Sequence, residues 1–212
     1  RTKVRCLLYT PASTAPHALS RPRYTGNRRA IQYSTVQPGS AITMHILTDL
    51  EIRDRLRSDP PLVAGLRDEA TQVQPCGIDL TVRSVSRLDS AGAVDFDNSQ
   101  RSLATRTELP WMDGWAFLAC GGYHIVYGEI VNLPIDVMAL AYPRSSLLRC
   151  GVTLHTAVWD PGYSGRAEGL LVVHNPHGFR LGRDARVAQL VFTSLGAAAG
   201  RPYQGRYHGE NT

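Results

Sequence analysis

The stretch YPRSSLLRCGVTLHTAVWDPGYSG, residues 142–165, decides how the rest of the chain is read. It opens on Pro143-Arg144-Ser145-Ser146-Leu147, continues through an apolar, strand-like run at 152–159, and closes on Asp160-Pro161-Gly162-Tyr163-Ser164-Gly165. A guanidinium fork, two hydroxyls and the N–H groups of a turn suit phosphate oxygens. A carboxylate beside an aromatic ring suits a sugar. One arm of a hairpin separates the two, so the pattern fits a ligand with phosphates at one end and a sugar-base at the other. Two plainer readings stand beside this one: Arg144-Ser145-Ser146 as the start of a capped helix, and Asp160-Pro161-Gly162 as a turn former.

Outward from this stretch the chain reads as mainly β. Strand-like runs at 78–85, 115–120, 124–133, 136–141, 152–159, 169–173 and 187–192 alternate with turns rich in Gly, Pro, Asn and Asp. Seven short strands imply a sandwich or distorted barrel. Residues 91–108 are polar and read as a loop or irregular hairpin. One helix is expected at 49–57, because Thr48 and Glu51 have capping-box spacing and Ile52 and Leu56 share a face. Asp59-Pro60-Pro61 ends it, with a short turn near 62–66. Residues 1–43 hold seven basic residues and no acid, leaving 16 basic and 18 acidic residues in the body. The net charge of +5 therefore belongs to the leader, and a nucleic-acid partner is not expected. The leader reads as a non-native lead-in to a start at Met44, or as a targeting or disordered extension. No apolar run reaches membrane-spanning length, so no membrane partner is expected. Four scattered cysteines without a CxxC pair imply reduced thiols and a cytoplasmic protein. Cys120 and Cys150 sit in apolar runs and are expected in the core.

PRSSL and DPGYSG, with CGIDL at 76–80, ARVAQLVF at 185–192 and YQGRYHGE at 203–210, together resemble the dUTPase and dCTP deaminase superfamily, most of all its archaeal-type dUTPases. The resemblance implies a distorted jelly-roll or β-barrel with a short N-terminal helix, a homotrimer with shared sites, and hydrolysis of dUTP to dUMP and pyrophosphate with Mg²⁺. It implies that Arg144, Ser145 and Ser146 grip the triphosphate, that Arg149 is a further basic position, and that Gln189 contacts phosphate. Asp160 would hold the sugar 3′-hydroxyl and orient the attacking water. Tyr163 would pack on the deoxyribose where a 2′-hydroxyl clashes, an exclusion by shape. Asp79 would support the metal through water, with Arg186 a local support. The backbone at 151–159 would read the uracil, with His155 near the base or a satisfied strand histidine. Residues 44–194 would form the β domain and 195–212 a flexible arm, with Arg206 reaching the γ-phosphate and Tyr203 or Tyr207 covering the base. That arm lacks the RGxGGFGS-like pattern usual in dUTPases.

Deamination of dCTP on the same fold, alone or in a bifunctional enzyme, is the rival. It needs a glutamate about ten residues after Asp160 to relay protons at the ring. Leu170 and Val172 occupy the candidate places, and Glu168 is the nearby acid. A zinc deaminase would need P-C-x-x-C after H-x-E, and none follows His208. A nucleotide-binding module without turnover is the non-enzyme alternative.

Overall fold

The CGIDL run continues into the longest strand. β4 (Gly77–Leu88) begins with six consecutive buried residues and then alternates less regularly. A strand covered on both faces reads as a continuous apolar run. The computed structural model describes residues 43–212, so the expected leader lies outside the described residues, Thr43 excepted. Before β4 come β1 (His45–Ile46), α1 (Asp49–Arg55), β2 (Val63–Ala64), α2 (Glu69–Gln72) and β3 (Val73–Gln74). After it come β5 (Arg106–Glu108), β6 (Trp115–Leu118), β7 (Gly121–Tyr127), β8 (Ile130–Asn132), β9 (Val137–Pro143), α3 (Ser145–Arg149) and β10 (Val152–His155). The last four strands are β11 (Ser164–Gly165), β12 (Glu168–Val173), β13 (Phe179–Gly182) and β14 (Arg186–Ser194).

The main sheet is antiparallel, ordered β1-β14-β4-β7-β12-β10, with β9 also on β14. β4 changes partners along its length: its first half pairs with β14, its second half with β7 and β5. Register shifts mark the change on both sides, and bulges of this kind sharpen twist. The sheet therefore curls until β9 meets the segment after β10. There Ala139 and Trp159 exchange two backbone bonds of 3.0 Å and close the curl. The result is the mainly β, barrel-like architecture expected from the sequence.

The helix at 49–57 is present as α1. Thr48 Oγ1 accepts from the Glu51 N–H at 3.4 Å, while Glu51 Oε2 accepts from the Thr48 N–H at 2.9 Å. Such a cap contributes about 1 kcal/mol. Ile52 is buried and Leu56 packs against the core.

Three expectations are corrected. The strand at 124–133 is two strands, broken at Gly128 and Glu129. Glu129 is fully buried there and accepts from Gln72 Nε2, the Thr81 N–H and Thr81 Oγ1 at 2.7–2.9 Å. The strand at 152–159 stops at His155, and only Trp159 resumes pairing. Cys120 and Cys150 are exposed, not core. Cys120 lies between β6 and β7, and Cys150 caps the C-terminus of α3, so the apolar runs around them end at turns. β5 lies within the loop expected at 91–108, and β2 within the turn expected near 62–66.

Candidate active site

Barrel closure places the two halves of the 142–165 stretch at opposite ends of one seam. Asp160 follows Trp159 directly, opposite Ala139. Arg144 lies five residues beyond Ala139 along β9, so roughly 16 Å separate the two levels at strand rise.

At the Asp160 end is a cavity of about 190 Å³, lined by Trp159, Asp160, Tyr163, Glu168, Tyr203 and Glu210 among others. That is below the ~300–1,000 Å³ typical of sites enclosing a whole drug-sized ligand. Asp160 is exposed and Tyr163 is buried. The Tyr163 and Tyr203 rings meet edge to face with centroids 5.8 Å apart. The Tyr163 hydroxyl donates to Glu210 Oε1 at 2.9 Å. Burial raises the pKa of Tyr163 above the ordinary phenol value, and the acceptor Glu210 raises it further. Three carboxylates and no cationic side chain line the cavity. It is therefore built to accept hydrogen bonds from hydroxyl and N–H groups, and it repels phosphates.

The C-terminal tail forms one wall. The Tyr203 N–H donates to the Pro161 carbonyl at 2.7 Å and the Gly209 N–H to the Ser164 carbonyl at 2.7 Å. The two turn glycines admit this approach. A Cβ on Gly162 would lie 2.6 Å from Pro202 Cβ, and one on Gly165 would lie 3.1 Å from the Glu210 N and O. Both glycines have positive φ, 85° and 152°. Tyr207 lines the same cavity, while Arg206 is exposed and lines a neighbouring cleft with Arg106, His124 and Glu168.

At the other end, Arg144 stands at the N-cap of α3. The plainer reading of Arg144-Ser145-Ser146 as a capped helix start is therefore right as to the start, but no side chain caps it. The start leaves the first N–H groups of α3 without intrahelical acceptors, and both serines are exposed. Asp79, 2 % exposed, holds Arg144 in place: its Oδ2 forms an ion pair with Arg144, 2.9 Å from Nε, and accepts a hydrogen bond from Arg186 Nη1 at 3.1 Å. Burial raises the Asp79 carboxyl against the pull of Arg144 and Arg186. Gln189 pairs in register with both Asp79 and Tyr142. A Cβ on Gly77 would sit 2.5 Å from the Leu190 carbonyl oxygen and 3.2 Å from the Gln189 side chain, so the glycine lets β14 approach β4 closely here. Arg149 lies at the end of α3, 3.3 Å from the Ser145 carbonyl, to which it donates. The structure thus brings Arg144, Ser145, Ser146, Arg149, Asp79 and Gln189 to one end, and Asp160, Tyr163 and Tyr203 to the other.

Sequence reasoning missed a cluster beside the cavity. Glu168 Oε2 accepts from His124 Nε2 at 2.7 Å, and both Arg106 Nη atoms donate to Oε1 at 3.1 Å. Burial pushes the Glu168 carboxyl up, but bonds and charge from His124, with Asn211 and Arg106, outweigh it and hold it at about 2. The signal was available in part: Glu168 is an acid opening an apolar strand three residues after Gly165. Its partners lie 44 and 62 residues upstream, which no local pattern reveals.

A family model described as dCTP deaminase-like matches residues 46–195, and the chain belongs to that family. Among its relatives is a probable deoxyuridine 5′-triphosphate nucleotidohydrolase of Methanosarcina barkeri, 48 % identical over 80 % of this chain and 99 % of the relative. A deoxyuridine 5′-triphosphate nucleotidohydrolase of Methanocaldococcus jannaschii is 41 % identical over 66 % of this chain and 90 % of the relative. The crystal structure of a 2′-deoxycytidine 5′-triphosphate deaminase from Agrobacterium tumefaciens superposes with a TM-score of 0.57 at 23 % identity. It covers 72 % of this chain, which spans about half of that chain's length (48 %). This likeness establishes the fold.

Proposed function

We propose that this chain hydrolyses dUTP to dUMP and pyrophosphate, keeping uracil out of DNA and supplying dUMP. Relatives at 41–48 % identity carry that activity in their names. The observation that carries the reading is the cavity's make-up: acceptor carboxylates and aromatic rings around Asp160, suited to a deoxyribose and a pyrimidine and unsuited to phosphates. Asp160 takes the 3′-hydroxyl and orients the water that attacks the α-phosphorus, drawing off its proton as the new P–O bond forms. The bond to the bridging oxygen breaks and pyrophosphate leaves.

The triphosphate needs cations that the cavity lacks. Arg144 and Arg149 supply them, with Ser145, Ser146 and Gln189 adding neutral hydroxyl and amide donors, yet in a single chain all five lie at the far end of the seam. A closed cyclic assembly resolves this by setting one copy's phosphate end against another copy's sugar-base cavity. A homotrimer of this kind is part of the proposal. Exposed Met112, Trp115 and Phe117 on the β6 ribbon support self-association, being apolar area that a lone chain leaves in water.

Among the described residues no group of three His, Cys, Asp or Glu side chains is placed to hold a metal. That suits an Mg²⁺ ion carried mainly by substrate phosphates and water. When bound it neutralises charge developing on the phosphates. Asp79, expected to act on the metal through water, gives one oxygen to two guanidinium groups, so in this reading it aims Arg144 as well. Residues 195–212 form the closing arm, with Tyr203 and Tyr207 at the base and Arg206 reaching the γ-phosphate in the assembly. Cytoplasmic action belongs to the same reading, supported by free Cys76, Cys120 and Cys150. No helix among the described residues is long and apolar enough to cross a membrane.

The deaminase alternative has a specific observation against it. Glu168 lines the cavity, but both its oxygens are already engaged, Oε2 by His124 Nε2 at 2.7 Å and Oε1 by the two Arg106 Nη atoms at 3.1 Å, so it is held as a clamp and not presented as a proton relay. The test offers the protein Mg²⁺ with dUTP or dCTP and follows pyrophosphate and ammonia separately. Pyrophosphate from dUTP alone is expected. Ammonia from dCTP makes the chain a deaminase, and tight binding without either product makes it a binding module.

A further inference from the structure

The hydroxyl of Tyr163 bonds to the far end of the chain. Its acceptor, Glu210 Oε1, lies 2.9 Å away and 47 residues later. The backbone around Glu210 is fastened on both sides. The Gly209 N–H donates to the Ser164 carbonyl at 2.7 Å, and the Arg166 N–H donates to the Glu210 carbonyl at 2.9 Å. Gly165 and Glu210 form a parallel bridge. Asn211 Nδ2 donates to the Arg166 carbonyl at 2.9 Å, and Arg166 Nη1 returns a bond to the Asn211 carbonyl at 2.9 Å. A Cβ on Gly165 would stand 3.0 Å from the Tyr163 hydroxyl and 3.1 Å from the Glu210 backbone. Tail, glycine and phenol thus form one fitted junction under the cavity.

Rejecting a 2′-hydroxyl by shape requires a ring that does not yield. A site held a fraction of an ångström too loosely loses this kind of discrimination. Packing alone restrains how far a phenol slides in its own plane, and a bond at its far end fixes that position. We propose that Glu210 is a positioning residue that braces the Tyr163 ring, so that the C-terminal tail sets the preference for deoxyribose over ribose. The inference rests on the reading of the cavity as a deoxynucleotide site.

The test compares kcat/KM for dUTP and UTP in the full chain with Mg²⁺. Glu210→Ala lowers the dUTP:UTP ratio about tenfold, the factor that one hydrogen bond of ordinary net strength controls. Glu210→Gln keeps the ratio, because its amide oxygen accepts the same bond. Tyr163→Phe keeps the ring but loses the hydroxyl, so it lowers the ratio to the same extent. Combined with Glu210→Ala it lowers the ratio no further, as two halves of one interaction must. An unchanged ratio in Glu210→Ala, or losses that add, overturns the proposal. Should Glu210→Ala fail to fold, a Tyr163→Phe ratio equal to wild type overturns it instead. A wild-type protein that releases no pyrophosphate from dUTP sinks the hydrolase reading itself. A wild-type protein that hydrolyses dUTP and rejects UTP, with variants that do not move the ratio, sinks only the role of Glu210.

Discussion

Replacing Gly162 by alanine should lift the C-terminal tail off the cavity. The new Cβ would sit 2.6 Å from Pro202 Cβ and 2.9 Å from the Tyr203 nitrogen, closer than real Cβ contacts come. The φ of 85° adds backbone strain of about 1–2 kcal/mol, but that strain is present whether the tail is on or off. The docking equilibrium shifts only by what the clash removes. Relieving it sacrifices the bond from the Tyr203 N–H to the Pro161 carbonyl, worth about 1 kcal/mol. It also sacrifices the Tyr163–Tyr203 edge contact, worth about 0.5–1.5 kcal/mol. About 2 kcal/mol raises the undocked population roughly thirtyfold. Tryptic cleavage after Arg206 reads that population when opening is faster than cutting. Gly114→Ala is the control, because Gly114 has φ 78° with nothing within 4 Å of its Cβ position. Its tail should be cut at the wild-type rate. A Gly162→Ala tail cut no faster than wild type refutes the reasoning that the glycine exists to admit the tail.

Two further outcomes follow from the charged clusters. Asp79→Ala leaves the Arg144 and Arg186 guanidinium groups, about 30 % exposed, without their shared partner. It should cost about 3 kcal/mol in urea unfolding, the low end for a broken buried pair, and raise KM for dUTP; unchanged stability contradicts the arrangement. Glu168, with a folded pKa of about 2 against an ordinary 4.5, contributes stability that is fully present above pH 4.5 and lost as pH falls toward 2. Linkage sets that share at about 3 kcal/mol, reduced to about 1–2 kcal/mol by screening of a side chain that is 28 % exposed. Glu168→Gln should therefore flatten the loss of stability between pH 4.5 and 2, and an acid limb identical to wild type rules the clamp out.

What the sequence made legible was local or patterned. The capping box at Thr48 and Glu51 lies within four residues and forms as expected. The apolar start of β4 and the alternation in β14 marked buried strands. What stayed hidden depends on distant partners. Cys120 and Cys150 were misplaced because an apolar neighbourhood does not show that a turn follows. Glu129 breaks what reads as one strand because Gln72 and Thr81, far upstream, satisfy its carboxylate. Arg106 and His124 join the site only once β4, β5, β7 and β12 are side by side. Nor does the turn at 160–165 show by itself that the backbone approaching Gly162 and Gly165 is the chain's own tail.

The central claim is that the phosphate end of one copy completes the sugar-base cavity of another. Arg144→Ala and Asp160→Asn are each expected to lose most dUTP turnover. Equal amounts of the two, co-expressed so that copies mix, place an intact Arg144 opposite an intact Asp160 at about a quarter of the shared sites. Pyrophosphate release from dUTP should then return to about a quarter of the wild-type rate. If the mixture stays as inactive as either variant alone while the copies are shown to assemble together, the site is not shared between copies and the account is wrong.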